Sequence, residues 1–333
     1  MSALYLHSVG HFHPENVIDN KLLEQLDIGT SDEWIVERVG IRTRRTVLPI
    51  DYIRTTRNAD VRAGQEAALY NNVETGRRAG LEALRRANLQ PSDIGMVIAG
   101  GCSPEMQIPS EACRIANALG IEAPALDINS ACSSFGAQLH LLSMMNPLPK
   151  FVLVVNPENT TRVVDYGDRS AAVLWGDATS AAIVSSTEKS RFKITNTMLG
   201  SSPAGWGQVT VPNFGHFAQH GSAVQRFAIK TTLHCLAQLM PAARARVAQT
   251  GGAVKFIGHQ ANGLMLESVT RRAEIDPADH FHNVLDFGNT GAAGAPTVLS
   301  GAWDKLKDGD SVVLVVVGSG LTWAGLQIDV GAA

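Results

Sequence analysis

The stretch ALDINSACSSFG, residues 125–136, decides the fold, because a strand, a tight turn and a helix follow one another in it. The short apolar run over 125–128 predicts a buried strand, and apolar residues at helical spacing over 133–145 predict a helix. Cys132 therefore lies on the turn, beside the first free N–H groups of the helix. Those N–H groups and the helix dipole lower a thiol pKa from about 8.5 to roughly 3.5–7.5. Cys132 is a candidate nucleophile, and a buried structural cysteine is the alternative.

Length and composition indicate a compact α/β enzyme. The chain has 333 residues, 45% of them hydrophobic and 18% charged, and it contains 31 glycines, which leaves little room for disorder. The net charge of −3 gives no reason to expect nucleic acid as a partner. No apolar run approaches a membrane span, and residues 1–10 lack the core of a signal peptide. We therefore expect a cytoplasmic protein without membrane insertion.

Cysteines and histidines are spaced in a way that argues against a metal site. The four cysteines contain no CxxC pair, and the histidine pairs have no carboxylate or cysteine beside them. Besides Cys132, we expect the other three, Cys102, Cys113 and Cys235, to be buried thiols.

The second half of the chain repeats the order of the first. A spacing of 29 residues separates Ile98 from Asp127, and the same spacing separates Ile257 from Asp286; in each half an apolar strand is expected to end at the Asp. Strands that alternate with helices predict mostly parallel, helix-covered sheets. We expect two duplicated α/β halves, residues 1–186 and 187–333, the first with the nucleophile. Residues 185–220, which include aromatic side chains, are a candidate lid or pocket wall.

Two further stretches, FIGHQAN at 256–262 and DFGNTGAAGAP at 286–296, lie at predicted strand ends. Ligands of α/β sheets gather at such ends, so His259 and Asn289 can converge with Cys132. A thiolate, a proton donor and an amide donor form a reactive set. Each alone has a simpler interpretation, since a single His is more often structural and Asn after Gly is more often a turn residue.

Six motifs in order resemble the β-ketoacyl-[acyl carrier protein] synthase III family of the thiolase superfamily. They are TSDEWI (30–35) with GIR (40–42), the turn at Cys132, GDA (176–178), HQAN (259–262), GNT (288–290) and GSGLTW (318–323). The resemblance implies a five-layered αβαβα fold, a homodimer and a ping-pong reaction without a cofactor. Its substrates are acyl-CoA and malonyl-acyl carrier protein (malonyl-ACP), and the product starts a fatty acid or related chain.

The same resemblance implies roles for four residues of the reaction centre. Cys132 attacks the acyl-CoA thioester, and malonyl-ACP then loses CO2 and attacks the bound acyl group as an enolate. His259 and Asn289 donate hydrogen bonds to the enolate oxygen. The backbone N–H groups of Cys132 and Gly320 form a second oxyanion hole, where glycine allows close approach of the backbone.

Binding roles follow from the resemblance as well. For CoA it implies Trp34, stacked on adenine, with Arg38 and Arg169 beside it; a core tryptophan on a helix face and an ordinary surface charge are the alternatives. For docking of the carrier protein it implies Arg226, Arg271 and Arg272, or else a solvated helix face. Where the family often has Leu-Arg after HQAN, this chain has GL at 263–264, which weakens the docking prediction.

The predicted acyl pocket departs from the family at Ile108. Housekeeping members often carry Phe here, which reaches into the partner's acyl tunnel. The smaller Ile leaves room in a close-packed site, so we expect a medium or long acyl primer rather than acetyl. The stretch 51–72 is longer than the usual connection and has no assigned role.

Three other functions compete with condensation. A synthase-III-like enzyme of secondary metabolism transfers an acyl group to another nucleophile or condenses other substrates, a thiol protease also uses Cys, His and Asn, and a silent homologue only binds. The presence of both His259 and Asn289 favours condensation, because simple acyl transfer does not need two donors for an enolate. The strand-to-helix turn at Cys132 argues against a protease.

Overall fold

Helices and strands alternate through residues 3–331, the part of the chain that the computed structural model describes. The strands are β1 (Leu4–Phe12), β2 (Asn16–Asp19), β3 (Thr43–Thr46), β4 (Met96–Ala99), β5 (Ala125–Asp127), β6 (Val152–Glu158), β7 (Ala178–Ser185), β8 (Phe192–Ser201), β9 (Val209–Thr210), β10 (Ala218–Gln219), β11 (Val254–Gly258), β12 (His280–Phe281), β13 (Ser311–Gly318) and β14 (Thr322–Val330). The helices are α1 (Asn20–Gln25), α2 (Asp32–Val39), α3 (Ile50–Thr56), α4 (Val61–Ala67), α5 (Asn72–Ala87), α6 (Glu111–Leu119), α7 (Ser134–Met144), α8 (Arg169–Ala172), α9 (Gly221–Thr250), α10 (Gly263–Arg272), α11 (Val284–Phe287) and α12 (Gly294–Ala302).

The order of the strands in the main sheet repeats between the two halves of the chain. From the outer edge to the centre, the first half runs β5-β4-β6-β7-β1 and the second half runs β12-β11-β13-β14-β8. The two sets meet where β1 pairs with β8 through three antiparallel residue pairs. Two duplicated halves are thereby confirmed. The division after residue 186, which falls between β7 and β8, stays a prediction.

Three hydrophobic cores separate five layers. The central core packs α7 and α12 against strands of both halves. One outer core packs α5 and α6 on β4, β6 and β7, and the other packs α2, α9 and α10 on the second half. The αβαβα architecture is therefore confirmed, and the helix that follows Cys132 lies in its central layer.

The sequence of α7 explains its central place. The helix is apolar on nearly all sides, and a helix of that kind is stable only when it is buried all round. Gly136 lets it approach β14 closely, since a Cβ at this position would lie 2.6 Å from the Cβ of Ala324. Within residues 3–331, no helix has both the length and the hydropathy that a bilayer span requires.

Four sequence predictions about the fold are wrong. The main sheet is not mostly parallel, since five of its nine pairings between neighbouring strands are antiparallel. Strand β5 is not buried: it pairs with β4 and ends the sheet, and Leu126 is 43% exposed. Cys113 is exposed, because the buried face of α6 is formed by residues such as Ala112, Ile115 and Ala116. Asp286 does not end a strand but lies in the short helix α11, after the end of β12.

The stretch 51–72, to which the sequence assigns no role, folds largely into the short helices α3 and α4. Between them Asn58 is fully buried, and its side-chain amide donates to the carbonyls of Arg162 and Val164 at 2.9 Å each. The insertion is thus fixed to the segment that follows β6.

Candidate active site

Cys132 lies on a turn that is locked from two sides. Ala131 adopts a left-handed conformation (φ +47°), and the Ser133 N–H donates to the Ser130 carbonyl at 3.0 Å. The Ser133 hydroxyl also bonds the Thr322 hydroxyl at 2.7 Å. Gly318 permits this approach, because a Cβ there would lie 2.7 Å from the Ser133 nitrogen. The turn and the loop after β13 therefore hold the thiol in place together.

His259 follows directly on the last residue of β11. The next residue, Gln260, accepts hydrogen bonds from the N–H groups of Asn283 and Val284, and Asn262 caps α10 by accepting from the Met265 N–H at 2.7 Å. A strand end and a helix cap thus fix the backbone on both sides of the imidazole. His259 is 5% exposed, and its Nδ1 has no hydrogen-bond partner in the described structure.

Asn289 is held so that its amide group faces the cavity. Its backbone N–H donates to Leu174 at 2.8 Å and its carbonyl accepts from Gly176 at 3.0 Å. The side-chain oxygen accepts the Gly291 N–H at 3.0 Å. Because the oxygen is occupied in this way, the NH2 end of the amide is the one that can donate to a bound ligand.

One cavity of about 750 Å³ joins the predicted catalytic residues to the predicted CoA residues. Cys132, His259 and Asn289 line its inner end, and Trp34, Arg38 and Arg169 also line it. The Arg169 guanidinium lies 4.6 Å from the centre of the Trp34 ring and donates a hydrogen bond to the Gly29 carbonyl.

The surroundings of Cys132 favour its thiolate form. A hydrogen bond from Cys102 is the largest cause, and His259 and the backbone add to it, so that the pKa of Cys132 falls to about 5 although burial opposes the charge. The pKa of Cys102 is raised well above its ordinary value, first by the same hydrogen bond and then by burial. Both shifts favour a thiolate at Cys132 over one at Cys102.

Comparison with known proteins agrees with this geometry. Two family models match, 3-oxoacyl-[acyl-carrier-protein (ACP)] synthase III over residues 126–203 and the C-terminal region of the same enzyme over residues 252–330. The chain is 31% identical to the β-ketoacyl-[acyl-carrier-protein] synthase III of Oceanobacillus iheyensis over 332 residues, which cover 97% of both chains. The chain belongs to the 3-oxoacyl-[acyl-carrier-protein] synthase III family.

Other members of this synthase III family match over similar lengths. The enzyme of that name from Campylobacter jejuni subsp. jejuni is 29% identical over 344 residues, covering 98% of this chain and 97% of the relative. The crystal structure of 3-oxoacyl-[acyl-carrier-protein] synthase III from Aquifex aeolicus VF5 superposes with a TM-score of 0.84 at 26% identity, covering 98% of this chain and 99% of the other. The predicted family and fold are confirmed, and the chain is an acyltransferase-type condensing enzyme.

A smaller cavity of about 120 Å³ adjoins the thiol of this synthase III chain. Its walls include Cys102, Cys132, Trp175 and Phe217. Phe217 comes from the stretch 185–220, which therefore forms a pocket wall, whereas the aromatic side chains Trp206 and Phe214 of the same stretch are 72% and 68% exposed.

Other predicted site residues lie apart from these cavities. Ile108 lines neither of them and is 84% exposed. Gly320 has φ +126°, and its neighbours Ser319 and Leu321 line the larger cavity. The predicted docking residues are exposed on the surfaces of two helices: Arg226 on α9, and Arg271 and Arg272 on α10.

Two residues of the site are missing from the sequence-based set, Cys102 and Glu158. Cys102 was expected to be a buried thiol, but it is partly exposed and contacts Cys132. Glu158 is fully buried at the end of β6, and burial raises its pKa to about 8. A signal for both existed, because each follows or ends a strand of the same parallel set as β5. Cys235 is buried, as predicted.

No group of three or more His, Cys, Asp or Glu side chains among residues 3–331 is arranged to hold a metal ion. Four histidines, His11, His13, His280 and His282, are among the residues that line a cavity of about 300 Å³. Burial lowers the pKa of His13 to about 3 and that of His280 to about 4, so both imidazoles are neutral at neutral pH.

Proposed function

We propose that this chain transfers an acyl group from acyl-CoA to Cys132 and then condenses it with malonyl-ACP to give 3-oxoacyl-ACP. One observation carries the proposal: a single cavity is lined by a thiol, an imidazole and an amide whose NH2 end can donate, and a tryptophan with a guanidinium over its ring lines the same cavity. We propose that no cofactor takes part and that the reaction occurs in the cytoplasm.

In the first half-reaction the Cys132 thiolate attacks the carbonyl carbon of the acyl-CoA thioester. The carbonyl oxygen becomes an oxyanion, which the backbone N–H groups of Cys132 and Gly320 stabilise. The carbon–sulfur bond to CoA then breaks, CoA leaves as a thiolate that takes a proton from water, and the acyl group stays on Cys132. One preorganised donor of this kind is worth about 2.7–4 kcal/mol in the barrier.

In the second half-reaction malonyl-ACP enters the emptied cavity. Its carbon–carboxylate bond breaks, CO2 leaves, and the electron pair forms an enolate whose oxygen accepts hydrogen bonds from His259 and Asn289. The enolate carbon attacks the acyl carbonyl, and the Cys132 thiolate is the leaving group. The nucleophile returns in the form in which it started, because its surroundings favour the thiolate.

We assign the CoA end of one substrate and the carrier protein of the other to two different sets of residues. The adenine of CoA stacks on Trp34, with the guanidinium groups of Arg38 and Arg169 near its phosphates. Arg226, Arg271 and Arg272 are exposed cations on α9 and α10, and they offer a basic surface to an acidic carrier protein.

Intact-protein mass spectrometry tests the proposal. The protein is incubated with acyl-CoAs from C2 to C14, with Cys132→Ala alongside. We expect an acyl adduct on the wild type alone, which malonyl-ACP clears with release of CO2. An adduct that malonyl-ACP fails to clear, with normal transfer to another nucleophile, would favour the acyltransferase of secondary metabolism. The absence of any adduct would contradict the proposal.

We further propose that two chains form a homodimer through the free edge of β5. Leu126 on this edge is an exposed apolar side chain, as are Met106 and Ile108, and an unpaired strand edge is a template for pairing. Antiparallel pairing of two β5 strands about a twofold axis satisfies both edges. Leu126→Lys should convert the dimer to monomer in analytical ultracentrifugation, and an unchanged mass would contradict this interface.

In such a dimer Ile108 reaches the partner's acyl cavity, although it lines none in its own chain. The small side chain leaves space for primers of C6–C12. We expect Ile108→Phe to shift the preference for acyl-CoA toward shorter chains. Turnover of acetyl-CoA well above that of C6–C12 acyl-CoAs in the wild type would overturn the assignment of primer length.

A further inference from the structure

Two thiols are in direct contact at the reaction centre. The Sγ atoms of Cys102 and Cys132 lie 3.3 Å apart, within hydrogen-bond reach for sulfur. Cys102 follows β4 and Cys132 follows β5, and these two strands are parallel neighbours whose carboxyl ends lie at the same edge of the sheet. The contact therefore results from the sheet order and does not depend on the closeness of the two cysteines in the chain.

The surroundings of the two sulfur atoms differ in charge. Cys132 faces the His259 imidazole and its own backbone N–H, and both favour a negative charge. Cys102 lies against the buried carboxyl group of Glu158, which accepts its backbone N–H at 3.0 Å through each oxygen and offers no positive charge to a Cys102 thiolate. When neighbouring groups raise the pKa of one member of a pair and lower that of the other, the first acts as the proton donor and the second as the anion.

Glu158 also fixes the position of Cys102, the proton donor of the pair. Its carboxylate accepts the Ala292 N–H at 2.7 Å and the Thr160 hydroxyl at 3.2 Å. A Cβ at Gly291 would lie 2.4 Å from one of its oxygens, so the loop after Asn289 packs directly on the carboxylate. The backbone that carries Cys102 is therefore tied to the same buried group as the loop that carries Asn289.

We propose that Cys102 is a positioning residue: its S–H donates a hydrogen bond to the Cys132 thiolate and thereby keeps the nucleophile ionised and aimed into the cavity. The role rests on the proposed function, in which Cys132 is the nucleophile. Cys102 itself forms no bond to the substrate. When Cys132 is acylated its charge is lost, and the donor is available again when the thiolate leaves.

The test measures how readily Cys132 alkylates as a function of pH, with both thiols reduced. Iodoacetamide is the probe, and the adduct on the Cys132 peptide is quantified by mass spectrometry between about pH 4 and about pH 9. We expect Cys102→Ala to move the midpoint of the Cys132 profile upward by about 1–2 pH units, the size of one charge-assisted hydrogen bond. Cys102→Ser keeps a donor and should restore most of the shift. Cys113→Ala, an exposed cysteine on α6, is the matched control and should leave the profile unchanged.

Two outcomes would overturn the role. One is a midpoint that stays the same in Cys102→Ala, and the other is a serine variant shifted as far as the alanine variant. If Cys102→Ala does not fold, Cys102→Thr and Cys102→Val give the same comparison between a donor and an apolar side chain of similar size. Alkylation needs no acyl-CoA, so a failure of the condensation assay leaves this test intact, and normal acylation with an unshifted profile rejects the role of Cys102 alone.

Discussion

Removal of the Trp34 ring provides the sharpest test of how the cavity binds CoA. The ring lines the cavity, and the Arg169 guanidinium lies 4.6 Å from its centre, which orients one face toward the cation. We predict that Trp34→Ala weakens acyl-CoA binding and leaves the chemistry at Cys132 unchanged, because we assign the ring to the nucleotide end of the substrate.

The magnitude follows from stacking. A base stacked on an aromatic side chain contributes about 1–3 kcal/mol, which corresponds to a rise in KM of about 5- to 150-fold. The maximal acylation rate of Cys132 should stay within about twofold, since an interaction that is equal in ground and transition states alters KM alone. Acyl-pantetheine lacks the nucleotide, and its KM should be the same in the wild type and the variant.

The assay is single-turnover acylation of Cys132, followed by mass spectrometry with both donors. Tyr70→Ala is the matched control, because the Arg78 guanidinium also lies 4.6 Å from the Tyr70 ring and that pair lines neither cavity of the site. An equal rise in KM for acyl-CoA and acyl-pantetheine would show that Trp34 stabilises the fold and does not bind the nucleotide. A KM for acyl-CoA that does not change would refute the stacking role outright.

Three further predictions concern pH and packing. The acylation rate of wild-type Cys132 should be level from about pH 6 to about pH 8 and fall below about pH 5 in stopped-flow assays, because the pKa of about 5 keeps the thiolate populated above it. Burial lowers the pKa of His13 from 6.5 to about 3, so the unfolded chain binds a proton that the folded chain rejects. Its contribution to stability is complete above pH 6.5 and decreases as the pH falls. When the pH falls from about 7 to about 5, the free energy of unfolding of the wild type, measured in urea, should decrease by about 2 kcal/mol more than that of His13→Gln. An equal decrease in both proteins would contradict this. Gly10→Ala should destabilise the fold by about 2 kcal/mol or more, since its Cβ would lie 2.5 Å from the backbone of α5. A Cβ at Gly301 meets nothing within 4 Å, so Gly301→Ala in α12 should raise the free energy of unfolding by up to about 1 kcal/mol. Thermal unfolding of the two variants checks that the two changes in stability have opposite signs.

The local pattern of apolar residues predicted correctly those helices and strands that depend mainly on their own sequence. The helix predicted over 133–145 is observed as α7 over Ser134–Met144. The exposure of β5 could not be read in the same way. Its apolar residues fit a buried strand, but burial depends on which strands lie beside it, and β5 happens to end the sheet. Local apolarity thus indicates a strand and does not indicate its place in the sheet.

The candidate site divides along the same line. The convergence of Cys132, His259 and Asn289 on one cavity was predictable, because each residue lies in a motif with its own local geometry, a turn or a strand end. The contact between Cys102 and Cys132 depends instead on β4 and β5 being parallel neighbours, which no local pattern states. The order of the strands can nevertheless be predicted when the two halves of a chain repeat the same fold. Once the halves are known to repeat, every residue just beyond the carboxyl ends of the inner parallel strands becomes a candidate. Since the neighbours of two touching thiols decide which of them ionises, the buried Glu158 then has to be considered together with the nucleophile rather than after it.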